Sequence, residues 1–122
     1  MELHFLDFDY SLDEQDIHTW DAMASVDQAR LPELLAEIEH ILAWAYHTFG
    51  AEMGPHEEGG CWQYDLQCEI PGQPLLELQW DPPGQRLILP KMLQLQAMLT
   101  VNFSLSATTD FAQAFARRYQ LE

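Results

Sequence analysis

Residues 31–50 read LPELLAEIEHILAWAYHTFG. Leu31, Leu34, Leu35, Ile38, Ile41, Leu42, Ala45 and Phe49 recur at spacings of three, four and seven, which is the pattern of a helix with a single apolar stripe. Pro32 fits the first turn, where its missing N–H removes no bond, and Gly50 stands where a left-handed C-terminal cap is expected. The spacing predicts a helix over 32–49. Such a stripe has to be laid on another element, and the flanking sequence supplies a sheet.

Downstream, Trp62, Tyr64, Leu66, Cys68 and Ile70 alternate with Gln63, Asp65, Gln67 and Glu69, the period of a half-buried strand. Pro71-Gly72 reverses the chain, Leu76, Leu78 and Trp80 repeat the alternation, and Asp81-Pro82-Pro83-Gly84 turns it again before Arg86 to Leu89. Leu93, Leu95, Ala97, Leu99, Val101, Phe103 and Leu105 then hold every odd position, which predicts one long strand or two joined by a bulge. Upstream, Glu2 to Tyr10 reads as extended, with Leu3 and Phe5 on one face and Leu6, Phe8 and Tyr10 on the other. A polar loop, SLDEQD, follows. In the next segment Trp20, Ala22, Ala24 and Val26 alternate with polar neighbours, so the two pieces read as a hairpin. Thr108, Thr109 or Asp110 can cap a last helix over 110–120, on which Phe111, Phe115 and Tyr119 share a face. Arg117 and Arg118 fall in its final turn, where the helix dipole favours cations.

The resulting order is β-β-α-β-β-β-β-α in one domain over 1–122. It predicts an α+β two-layer sandwich: an antiparallel sheet of five to six strands with both helices packed on one face.

Composition narrows the function classes. The chain has 122 residues, 48% of them hydrophobic, and its 6 Phe, 4 Trp and 4 Tyr argue against charge-driven disorder. Lys+Arg number 5 against Asp+Glu 20, a net charge of −15, so direct binding to nucleic acid or anionic membrane is not expected. Residues 1–85 carry 18 acids and one base, Arg30, whereas Arg86, Lys91, Arg117 and Arg118 follow with only Asp110 and Glu122. No charged leader with an apolar core opens the chain, and Cys61 and Cys68 read as reduced thiols, so the expected location is cytoplasmic.

Asp7, Asp9, Ser11 and Asp13 have the oxygen spacing that calcium loops use, but Leu12 stands where the sharp turn needs Gly and His18 where a bidentate Glu belongs. Glu37 and His40 are one helical turn apart and could share an ion, which leaves zinc short of ligands and a di-iron centre without its second pair. Cys61 follows the flexible HEEGG segment containing His56, in acidic surroundings that oppose thiolate formation. No phosphate loop, Cys-x-x-Cys pair or triad signature occurs, and no cofactor is called for.

The chain therefore reads as a non-enzymatic module that docks a basic protein through an acidic face, with Glu33, Glu37, His40, Trp44 and His47 as the candidate contact stripe. Trp44 lies at the edge of the apolar stripe, either packed at the boundary or exposed as an anchor. The alternative is a metal-dependent protein or enzyme sited between the 7–13 and 51–60 loops, using Asp7, Asp9, Asp13 and His56. Homodimerisation through a sheet edge or the Trp44 face is compatible with both.

Overall fold

In the computed structural model, which describes residues 2–121, the long helix α1 spans Leu31–Phe49. Leu34, Ile38, Ile41, Leu42 and Ala45 are fully buried along its stripe. Gly50 does not form the expected left-handed cap. It stays right-handed at φ −57 and the chain tightens into a 3₁₀ turn, Gly50–Glu52. Left-handed geometry is used further on, at Gly59, with φ +86.

The strands are β1 (Asp9–Leu12), β2 (His18–Asp27), β3 (Trp62–Glu69), β4 (Leu76–Glu77), β5 (Gln79–Asp81), β6 (Arg86–Ile88) and β7 (Met98–Ala107). The final helix, α2, covers Thr109–Tyr119. Five strands form one antiparallel sheet in the order β1-β2-β7-β3-β4, and β5 and β6 pair in a separate hairpin. The last long strand thus lies in the middle, paired along its length with β2 and over most of it with β3. Both helices cover the face that carries Trp20, Ala22, Val26, Trp62, Leu66, Cys68, Leu99, Val101, Phe103 and Leu105, as the alternation requires.

Aromatic rings fill the space between the layers. Phe111 stacks on Trp62 at 5.5 Å, and the Trp20 ring meets Phe115 edge-on at 5.0 Å. The Trp62 indole N–H donates to the Phe49 carbonyl at 2.9 Å, which ties β3 to the end of α1.

Three segments differ from the sequence expectation. Residues 2–8 make no strand, and only Asp9–Leu12 pairs with β2. The backbone N–H groups of His4, Phe5 and Leu6 donate instead to the Glu37 carboxylate of α1, at 2.7 to 3.2 Å. Leu93 is buried in a 3₁₀ turn, Lys91–Leu95, so β7 starts only at Met98. The Leu76–Trp80 run breaks at Leu78: its N–H still bonds to the Leu66 carbonyl of β3 at 3.0 Å, after which the chain leaves the main sheet. The β5–β6 hairpin is tied to α1 by the Leu87 N–H, which donates to Glu39 Oε2 at 2.7 Å. No helix among the described residues is long and apolar enough to cross a membrane.

Candidate functional site

With α1 and α2 on one face of the sheet, period-two alternation sends every second side chain of its strands to the other face, which neither of these helices covers. The strand register fixes who stands beside whom. Asp9, Asp21, Ser104 and Asp65 form one row across β1, β2, β7 and β3. Ser11, Thr19, Ser106 and Gln63 form the next row towards one end. Towards the other end come Met23, Asn102, Gln67 and Glu77, then Ser25, Thr100 and Glu69, and finally Asp27 with Met98.

This face therefore carries Asp9, Asp21, Asp27, Asp65, Glu69 and Glu77. None of the five Lys and Arg residues of the chain lies on the strands of this sheet. Short polar links hold its centre: the Ser104 hydroxyl donates to Asp21 Oδ1, the Asn102 amide to Glu69 Oε2 at 3.2 Å, and Ser25 and Thr100 share a bond of 2.7 Å. None of these carboxylates is in an ion pair among the described residues; the one pair found there joins Arg30 and Glu33 at 3.8 Å, well exposed to water.

The 51–60 loop is pinned at one end of this face. His56 Nδ1 lies 3.1 Å from the Gly60 carbonyl oxygen, which can only accept, so Nδ1 donates there, and Nε2 pairs with the Ser106 hydroxyl at 3.2 Å. Gly60 permits the tight fold of the loop, since a Cβ there would collide with the Gly54 carbonyl.

The helix stripe read from the sequence does not form a single surface. Glu37 is buried, with 3% of its area exposed, and its carboxylate is occupied by the N-terminal segment, so its expected place in an accessible contact stripe is corrected. His40 Nδ1 pairs with the Tyr119 hydroxyl at 2.7 Å, and Arg118 reaches its Nε2 at 3.4 Å. Burial, aided by the Arg118 charge, holds the His40 pKa below the ordinary histidine value. Trp44 is a half-buried boundary residue packed against Phe49, Phe111, Phe115 and Tyr119 at 5.5 to 6.0 Å. Glu33 and His47 are exposed but stand about 21 Å apart along the helix.

The acidic loop also disperses. Asp7 faces a groove beside α2, Asp9 faces the open sheet, and Asp13 spends Oδ1 on the N–H groups of Gln15 and Ile17, at 2.8 and 2.9 Å, closing the β1–β2 turn. No group of three or more His, Cys, Asp or Glu among the described residues is arranged to hold a metal. The Cys61 thiol pairs with Thr108 Oγ1 at 3.0 Å, and that hydroxyl makes no capping bond to α2. Cys68 is buried, and desolvation pushes its thiol pKa up.

Comparison with protein-family models, curated proteins and solved structures gives no match.

Proposed function

We propose that the protein is a non-enzymatic binding module that docks a basic protein partner on the open face of its sheet. The observation that carries this reading is the uniform sign of that face, six carboxylates among hydroxyls and amides with no Lys or Arg on its strands. The five strands are two to ten residues long; at about 3.3 Å per residue and 4.8 Å between strands they give a face of roughly 540 Å², the greater part of the ~800 Å² each partner contributes to an ordinary protein interface. Such a field speeds encounter with a cationic surface and weakens as salt rises. Met23 and Met98, 68% and 55% exposed, add soft apolar contacts that adapt to the partner. A second copy is a poor occupant, because it would set like charges against each other.

The test is capture from native lysate at low and high ionic strength, with the wild-type chain beside the triple variant Asp21→Asn, Asp65→Asn, Glu69→Gln. The expected result is a basic protein retained by the wild type at low salt, released at high salt and lost in the variant. Equal retention by the two chains, or no basic protein at low salt, would rule the reading out.

A further inference from the structure

The largest of the described cavities lies away from the sheet's open face, as a groove of about 800 Å³ between the 2–8 strap and the last turn of α2. That is within the roughly 300–1,000 Å³ of ordinary small-molecule sites. Its two sides carry opposite charges. Glu2 and Asp7 come from the strap, Arg118 comes from the helix, and Phe8 and Trp20 supply ring surface. None of these three charged side chains is in an ion pair among the described residues.

The contacts of Arg118 also orient a neighbouring donor. Its guanidinium lies over the Tyr119 ring, 5.1 Å from the centroid, and one of its nitrogens faces His40 Nε2 at 3.4 Å. Arginine only donates, so Nε2 accepts, and the neutral imidazole then carries its proton on Nδ1. That proton is donated to the Tyr119 oxygen 2.7 Å away, which leaves the Tyr119 hydroxyl hydrogen without an acceptor among the described bonds. Tyr119 is one of the residues lining the groove. Burial raises its pKa to about 12, further above neutral pH than that of a free tyrosine, which is already protonated there.

From this arrangement we propose that the groove binds a small zwitterion with an aromatic or large apolar body, the chemistry of a free hydrophobic amino acid. Its ammonium group faces Asp7 and Glu2. Its carboxylate takes the Arg118 fork and the Tyr119 hydroxyl, and its side chain lies against Phe8 and Trp20. A plain organic cation would leave Arg118 unmatched, and a plain carboxylate would meet the two acids of the strap. This site is independent of the docking face, so either reading can fail alone.

The test is calorimetric titration with three probes: L-phenylalanine, phenethylamine, which lacks the carboxylate, and 3-phenylpropionate, which lacks the ammonium group. Amide and indole NMR shifts locate the binding and show that the variants remain folded. L-phenylalanine is expected to bind at least about tenfold more tightly than either fragment, with shifts at Trp20 and Leu121. Arg118→Gln should bring its affinity down to that of phenethylamine, and Asp7→Asn to that of 3-phenylpropionate. The proposal is overturned if L-phenylalanine shows no binding at about 10 mM, if a fragment matches it, or if the shifts fall outside the groove.

Discussion

Glu37 shows how one side chain can replace a strand. Residues 2–8 have no neighbouring strand, yet their N–H groups need acceptors, and a carboxylate accepting three of them meets that need. Glu37→Gln keeps the shape but turns an NH₂ group towards other donors. It is expected to cost about 1.5–3 kcal/mol in urea unfolding and to speed amide exchange at His4, Phe5 and Leu6. The four tryptophans offer a second contrast. Trp62 donates its indole N–H to Phe49, whereas the Trp80 indole N–H is buried without a partner among the described residues, its ring stacked on Tyr46 at 5.8 Å. Trp62→Phe should cost about 2–3 kcal/mol by orphaning a carbonyl and thinning the core, and Trp80→Phe less than about 1 kcal/mol. Chemical denaturation of the two variants side by side gives the comparison.

At the scale of elements, what was legible followed from period. The stripe from Leu31 to Phe49 and the Phe111, Phe115, Tyr119 face located both helices to within a residue or so, because apolar residues at helical spacing have one way to be buried together. Alternation found β2, β3 and the body of β7 for the same reason. It failed where a burial pattern persists but the backbone partner changes. Leu3, Phe5, Leu6 and Phe8 pack on the core, yet the N–H groups of His4, Phe5 and Leu6 have Glu37 as their acceptor, which sequence shows only as one more acid on a helix. Leu93 is buried from a 3₁₀ turn, and Leu78 is buried at the point where the chain passes to a second sheet. The contact between α1 and α2 carries its own prediction. His40 has its pKa lowered, first by burial and then by Arg118, so the native state binds a proton less readily than the unfolded chain. Its contribution is intact above the ordinary histidine pKa and is lost as pH falls through that value towards the lowered native one. Urea midpoints measured between about pH 7.5 and 5.5 should fall on acidification, and His40→Gln should flatten that dependence.

Over the whole molecule, a charge of −15 becomes a surface with direction. The polar positions of β2, β3 and β7 are visible in the sequence, but that they line up as one acidic face depends on β7 inserting between β2 and β3, which no local pattern encodes. A surface of this kind has an energetic signature. Asp9 and Asp21 are direct cross-strand neighbours, with Asp65 two strands further across the same row. Like charges placed opposite each other destabilise a sheet by about 0.2–1 kcal/mol, and salt screens them over about 10 Å. Asp21→Asn keeps an acceptor for the Ser104 hydroxyl while removing that repulsion, so it should stabilise the fold by about 0.5 kcal/mol. Raising NaCl from about 10 mM to 0.5 M should likewise raise the melting temperature of the wild type, and raise it less for the triple variant Asp21→Asn, Asp65→Asn, Glu69→Gln. The same substitutions and the same salt should weaken capture of a basic partner. Stability and binding therefore move in opposite directions, as expected of charge held in place for recognition; an equal response to salt in both chains would mean that the face is not under electrostatic strain.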